Sequence, residues 1–84
     1  MNPRVNNVEP LPDYRLKLFF SNGEIKIMDV SRYLGMGDFS ELKDTFVFNI
    51  VKPFQGSIQW KNGLDLCPDC LYLESVPVID INFE

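Results

Sequence analysis

The chain has 84 residues, with 8 basic against 12 acidic side chains, no histidine and two cysteines, for a formal charge of −4. A chain of this length has room for one hydrophobic core, so residues 1–84 are read as one domain. At 45% hydrophobic and 24% charged the composition is that of a soluble globular protein, and the missing histidine removes the commonest general base, metal ligand and pH switch.

Val5 to Glu9 is a predicted strand, turned by Pro12-Asp13 into Tyr14. From Tyr14 to Phe20 the residues alternate, with Tyr14, Leu16, Leu18 and Phe20 on one side and Arg15, Lys17 and Phe19 on the other. Asn22-Gly23 then separates this run from Ile25-Lys26-Ile27-Met28, and Asn-Gly between alternating runs signals a hairpin with a type I′ turn. A two-residue loop would set Phe20 opposite Ile25 and Leu18 opposite Ile27, gathering the apolar side chains on one face; a slip by one residue would undo this. Ser31 to Leu34 is a short segment closed by a turn in which Gly35 and Gly37 bracket Met36. Asp38-Phe39-Ser40-Glu41 fits a capping box, with Asp38 as N-cap. Asp44 can cap a second helical piece running to Val51, which Pro53 stops; Phe39, Leu42, Val47, Phe48 and Val51 supply the buried side.

Ser57 to Leu66 is a second hairpin whose register can be tested against its side chains. A three-residue loop, Lys61-Asn62-Gly63, sets Trp60 opposite Leu64 and Ile58 opposite Leu66, with Gly63 in the left-handed position of a bulged turn. A two-residue loop would instead oppose Trp60 to Asp65. The longer loop is the expectation. Pro68-Asp69 starts a helical turn through Leu73 with Asp69 as its cap, and Val78 to Phe83 is a strand candidate after Pro77. Together these elements predict an α+β domain: a small antiparallel sheet built from two hairpins plus an N-terminal strand, with short helices packed on one face.

Charge and termini set further bounds. With a pI near 4.6 and its bases scattered singly, the chain lacks the clustered Lys and Arg that direct nucleic-acid binding requires. The polar start has no apolar signal segment, and runs such as Leu18-Phe19-Phe20 are too short to cross a bilayer. A cytoplasmic, reducing setting is therefore expected, without a structural disulfide.

Cys67-Pro68-Asp69-Cys70 is the one stretch with the look of chemistry. Two thiols at this spacing serve a redox dithiol or half of a tetrahedral zinc site. No histidine and no third cysteine complete such a site within one chain, so only a zinc-bridged dimer sharing two knuckles, or carboxylate ligands, could complete it. Against this stands a plain structural pair: Cys67 buried at a strand end and Cys70 in a helical turn. Asp65, Asp69 and Glu74 read as solvated carboxylates rather than an acid–base pair. Trp60 belongs to the core. Phe19, flanked by Lys17 and Lys26, is the candidate interaction site because it faces away from Leu16, Leu18 and Phe20. No Gly-rich phosphate loop or Ser/His/Asp arrangement is present, and the chain is read as no enzyme, with no cofactor.

Several stretches taken together resemble a known family: Val8-Glu9-Pro10-Leu11-Pro12-Asp13-Tyr14, Phe20-Ser21-Asn22-Gly23-Glu24, Asp29-Val30 with Tyr33-Leu34, Phe39-Ser40-Glu41-Leu42, Ile58-Gln59-Trp60 with Asn62-Gly63, and Asp65-Leu66-Cys67-Pro68-Asp69 to Leu71-Tyr72. The chain is similar, over a core of about residues 4–78, to the bacterial family called domain of unknown function 2442, with residues 79–84 forming a tail beyond it. The resemblance implies an α+β domain found alone or fused to a helix-turn-helix, often encoded beside another small protein. That neighbourhood implies a toxin–antitoxin-like or regulatory pair, with another small bacterial protein or a second copy as partner. Family members commonly carry Thr or another residue in place of Cys70, so the resemblance does not extend to the dithiol.

Overall fold

The structure is a computed structural model that describes residues 2–61 and 63–78. Among the described residues, alternating side chains and turn residues generate seven strands: β1 (Val5–Leu11), β2 (Arg15–Phe20), β3 (Ile25–Asp29), β4 (Lys52–Phe54), β5 (Ser57–Gln59), β6 (Asp65–Leu66) and β7 (Val76–Pro77). They form two antiparallel sheets, one in the order β1-β2-β3-β7 and one in the order β4-β5-β6. The α+β class is as the sequence indicates, with the two hairpins in separate sheets. A hydrogen bond from Val5 N to Gly56 O (2.9 Å) joins the sheets at their corner.

Two 3-10 segments, Ser31–Tyr33 and Gly37–Lys43, and the short helices α1 (Thr45–Asn49) and α2 (Pro68–Glu74) complete the order. Asp44 caps α1 as its spacing predicts, its Oδ1 accepting from Phe46 N at 3.0 Å. Asp38 does not cap. Its segment winds as a 3-10 helix from Gly37, with Met36 in the cap position, so Asp38 falls inside the first turn and the four-residue box loses its register. Nor is Asp69 a cap, because Pro68 takes the first helical position and moves the cap to Cys67. The unforeseen cap-like carboxylate is Asp29, which accepts from Ser31 N (2.9 Å) and Ser31 Oγ (2.6 Å).

The core gathers Val5 and Val8 from β1, Leu16, Leu18 and Phe20 from β2, and Met28 from β3 against Ile58, Trp60, Leu66, Phe48, Leu42 and Leu71. Trp60 is 1% exposed, and its indole Nε1–H donates to Phe48 O at 3.1 Å. That bond satisfies the polar end of the largest buried ring. The second hairpin takes the expected register: Ile58 pairs with Leu66, Trp60 N donates to Leu64 O at 2.8 Å, and Gly63 holds a positive φ of 90°.

The first hairpin corrects the sequence reading. Phe19 lies opposite Ile25, Leu18 opposite Lys26 and Leu16 opposite Met28. The loop is the three residues Ser21-Asn22-Gly23, closed by Gly23 N to Phe20 O (3.0 Å) and Phe20 N to Glu24 O (2.9 Å). A type I′ turn needs positive φ at both central residues. Here Gly23 alone of the three has it, at 92°, as a bulged turn requires. The true two-residue hairpin is elsewhere, at Gln55-Gly56, where φ is 50° and 82° and Phe54 pairs with Ser57. It creates β4, an edge strand that the sequence reading took for a helix stop. Pro53 is tolerated there because an edge residue can do without its N–H. The strand expected over Val78–Phe83 falls, from residue 79 onward, outside the described residues; β7 precedes it at Val76–Pro77.

Candidate functional site

The extra loop residue turns β3 over, since side chains alternate faces with a period of two. Lys26, expected beside Phe19 and Lys17, is carried instead to the core side of the sheet and is 7% exposed. Its Nζ donates to Tyr72 O at 2.5 Å and lies 3.9 Å from the Tyr72 ring centroid. Tyr72 Oη in turn donates to Glu24 Oε1 at 2.5 Å, and Asn22 Nδ2 donates to the same oxygen at 2.7 Å. The Tyr72 bond first and the Asn22 bond second hold Glu24 below the usual carboxylate range, and the Glu24 bond, followed by burial, pushes the Tyr72 phenol up. Lys26 therefore fastens α2 to β3.

Phe19 and Lys17 stay on the far face, where the sequence placed them. Register puts Phe19 beside Ile25 in one row, and Glu9, Lys17, Ile27 and Val76 side by side in the next. Lys17 Nζ lies 5.6 Å from the Phe19 ring centroid. Phe19 is half-buried, whereas Ile25 and Val76 are 38% and 48% exposed. Ile27 is buried without joining the main core cluster. Those three aliphatic residues were missed because the two-residue loop aimed Ile25 and Ile27 inward. A usable signal existed: Ser21-Asn22-Gly23 and Lys61-Asn62-Gly63 share the x-Asn-Gly triplet, and Gly23 and Gly63 both hold positive φ, at 92° and 90°.

The dithiol sits across the molecule at the start of α2. Cys67 is the N-cap and Cys70 the third helical residue. Contrary to the expectation of a buried strand-end cysteine, Cys67 is exposed and Cys70 half-buried, both as free thiols. Pro68 is the physical reason, because it starts the helix one residue after Cys67 and leaves that side chain outside the first turn. Burial first, then the neighbouring Cys67, pushes the Cys70 thiol above its ordinary value. Cys67 borders a surface hollow shared with Phe54, Gln55, Asp65, Leu66 and Pro68. Among the described residues no group of three or more Cys, Asp or Glu is placed to hold a metal ion.

At the other end of α2, Tyr33 Oη donates to Glu74 Oε1 at 2.6 Å, and Arg32 Nη1 lies 3.5 Å from the same oxygen. The Glu74 hydrogen bond, followed by burial, pushes Tyr33 up to about 12. Asp65 and Asp69 are exposed, and Asp69 Oδ1 accepts from Asn2 Nδ2 at 3.3 Å, so they face solvent as their positions imply. Among the described residues no helix is long and apolar enough to cross a membrane.

No curated protein and no solved structure matches the chain. The family described as Protein of unknown function (DUF2442) matches residues 5–77, a span that starts with β1 and ends with β7. The chain belongs to that family.

Proposed function

We propose that this protein is a non-enzymatic interaction module, acting as the antitoxin-like or regulatory partner of another small bacterial protein in the cytoplasm. The observation that supports this reading is the far face of the four-stranded sheet, where Phe19, Ile25 and Val76 form a part-exposed apolar stripe beside Lys17 and Glu9. An apolar centre with charges at its rim is the anatomy of a protein-binding surface. The missing histidine and the family's implied pairing with a neighbouring small protein point the same way. Tagged protein, expressed in the native host and recovered with its bound material, tests it. Wild type retains a stoichiometric partner, and Phe19→Asp with Ile25→Asp loses it. Absence of a stoichiometric partner, or a partner held equally by the folded double variant, would remove the proposal.

The second reading, a zinc-binding protein, is favoured by the exposure of Cys67. Two thiolates are half of a tetrahedral site, so the metal would bridge two chains. Zinc titration followed by native mass spectrometry distinguishes it: a zinc-bound dimer supports this reading, and a metal-free monomer overturns it.

A further inference from the structure

The structure assigns Cys67 and Cys70 as a thiol–disulfide exchange pair that closes an intramolecular disulfide across the first turn of α2, with Cys67 as the attacking thiol and Cys70 as the resolving one. Three observations place these roles. N-cap and third helical residue stand on the same turn of the helix start, and the Cys67 and Cys70 side chains are close enough there to hydrogen-bond. Cys67 is exposed, while Cys70 is half-buried behind it. A surface hollow lined by Phe54, Gln55, Leu66 and Cys67, with Cys70 outside its lining, lies beside the first cysteine. Burial, the first cause of the raised Cys70 thiol, disfavours Cys70 as the first nucleophile.

The co-reactant is a low-molecular-weight disulfide. In the first step the Cys67 thiolate attacks one sulfur of that disulfide; the S–S bond breaks, a mixed disulfide forms on Cys67, and one thiolate leaves and takes up a proton. In the second, Cys70 gives up its proton and attacks Cys67 Sγ, releasing the other half as a second thiol. Two protein thiols are thereby oxidised to one disulfide, and the small disulfide is reduced to two thiols. Interaction through the far face of the sheet is neither required nor affected.

Oxidised glutathione added to the reduced full-length chain, followed by acid quenching and intact-mass measurement, tests the assignment. Wild type ends as a monomer lighter by two hydrogens, and dithiothreitol returns it to the starting mass. Cys70→Ser stops at the mixed disulfide, heavier by one glutathionyl group, and peptide mapping places that group on Cys67. Cys67→Ser reacts at least about tenfold more slowly, because its remaining thiol is half-buried and raised above the ordinary thiol range. A wild-type chain that carries glutathione on both cysteines, links to a second chain, or matches the rate of Cys67→Ser overturns the assignment. Circular dichroism of the three reduced proteins identifies any variant that fails to fold; if Cys67→Ser does, Cys67→Ala replaces it.

Discussion

Lys26 gives the sharpest test of the bulged first hairpin, since the two possible registers place it on opposite faces of the sheet. In the structure its ammonium group is covered, with Nζ bonded to Tyr72 O at 2.5 Å and set against the Tyr72 ring. Truncation by Lys26→Ala removes a charge-assisted hydrogen bond, worth about 1.5–3 kcal/mol. It also removes a cation–π contact of about 0.5–2 kcal/mol and the packing of the stem. The variant no longer desolvates an ammonium group on folding, which offsets part of this and leaves an expected loss of about 2–4 kcal/mol. A domain of this size is stable by roughly 4–12 kcal/mol in total, so the change is a large one. Lys26→Met keeps the stem and no longer buries a charge, so it stays within about 1.5 kcal/mol of wild type. Ile25→Ala, at a position 38% exposed, costs less than about 1 kcal/mol. Urea denaturation followed by the fluorescence of Trp60 measures all three. The register is refuted if Lys26→Ala changes stability by less than about 0.5 kcal/mol, as a solvated lysine would, and Ile25→Ala proves the more damaging substitution.

Gln55 and Gly56 offer a test of backbone strain, because both hold positive φ in the tight β4–β5 turn. Gln55→Asn should stabilise by about 0.5–1 kcal/mol, since Asn tolerates this conformation better; a loss of stability in thermal denaturation would contradict the turn. Gly56→Ala should cost more than Gly63→Ala in the same assay. Each carries about 1–2 kcal/mol for its left-handed φ, but only at Gly56 would the new Cβ meet a side chain, that of Arg4. Tyr33 and Tyr72 have phenol pKa values raised above the unfolded value of about 10. Their contribution to stability is therefore full below that pH and is lost as pH rises, for Tyr33 through about 12. Tyr33→Phe should flatten the alkaline fall in stability measured by circular dichroism, and an unchanged fall would contradict the Glu74 hydrogen bond. Asp29, held low first by its Ser31 hydrogen bond, contributes in the opposite sense: its stabilisation is present above the ordinary carboxylate range and is lost as pH falls. Asp29→Asn should weaken the acid dependence of unfolding, which a pH series of urea midpoints would reveal.

The dithiol was the most legible part of the candidate site. Spacing alone placed Cys67 and Cys70 at a helix start, and α2 bears this out; what the spacing left open was which sulfur faces water. The far face was read in part. Phe19 and Lys17 lie on the outside because they alternate with Leu16, Leu18 and Phe20, and that pattern runs within one strand. Ile25, Ile27 and Val76 could not be added so simply, since their facing depends on the loop between strands and on the return of the chain after α2.

Local sequence by itself determined the α+β class, most strand positions, the Asp44 cap and the second hairpin, whose aromatic and aliphatic pairing makes sense in one register only. Tertiary structure decided the rest. At the first hairpin, alternation favours burying Ile25 and Ile27 as strongly as burying Met28, and the choice falls to Tyr72, whose carbonyl and ring give Lys26 a place inside the core. At Gln55-Gly56 no residue preference announces a type I′ turn; Val5 N and the Arg4 guanidinium, arriving from the other sheet, bond its carbonyls and hold it. The −4 charge and the empty histidine count likewise define what chemistry is absent from the side chains. Which side chains the outer face of the sheet presents follows from a strand turned over by one residue, because each such step exchanges the inward and outward faces.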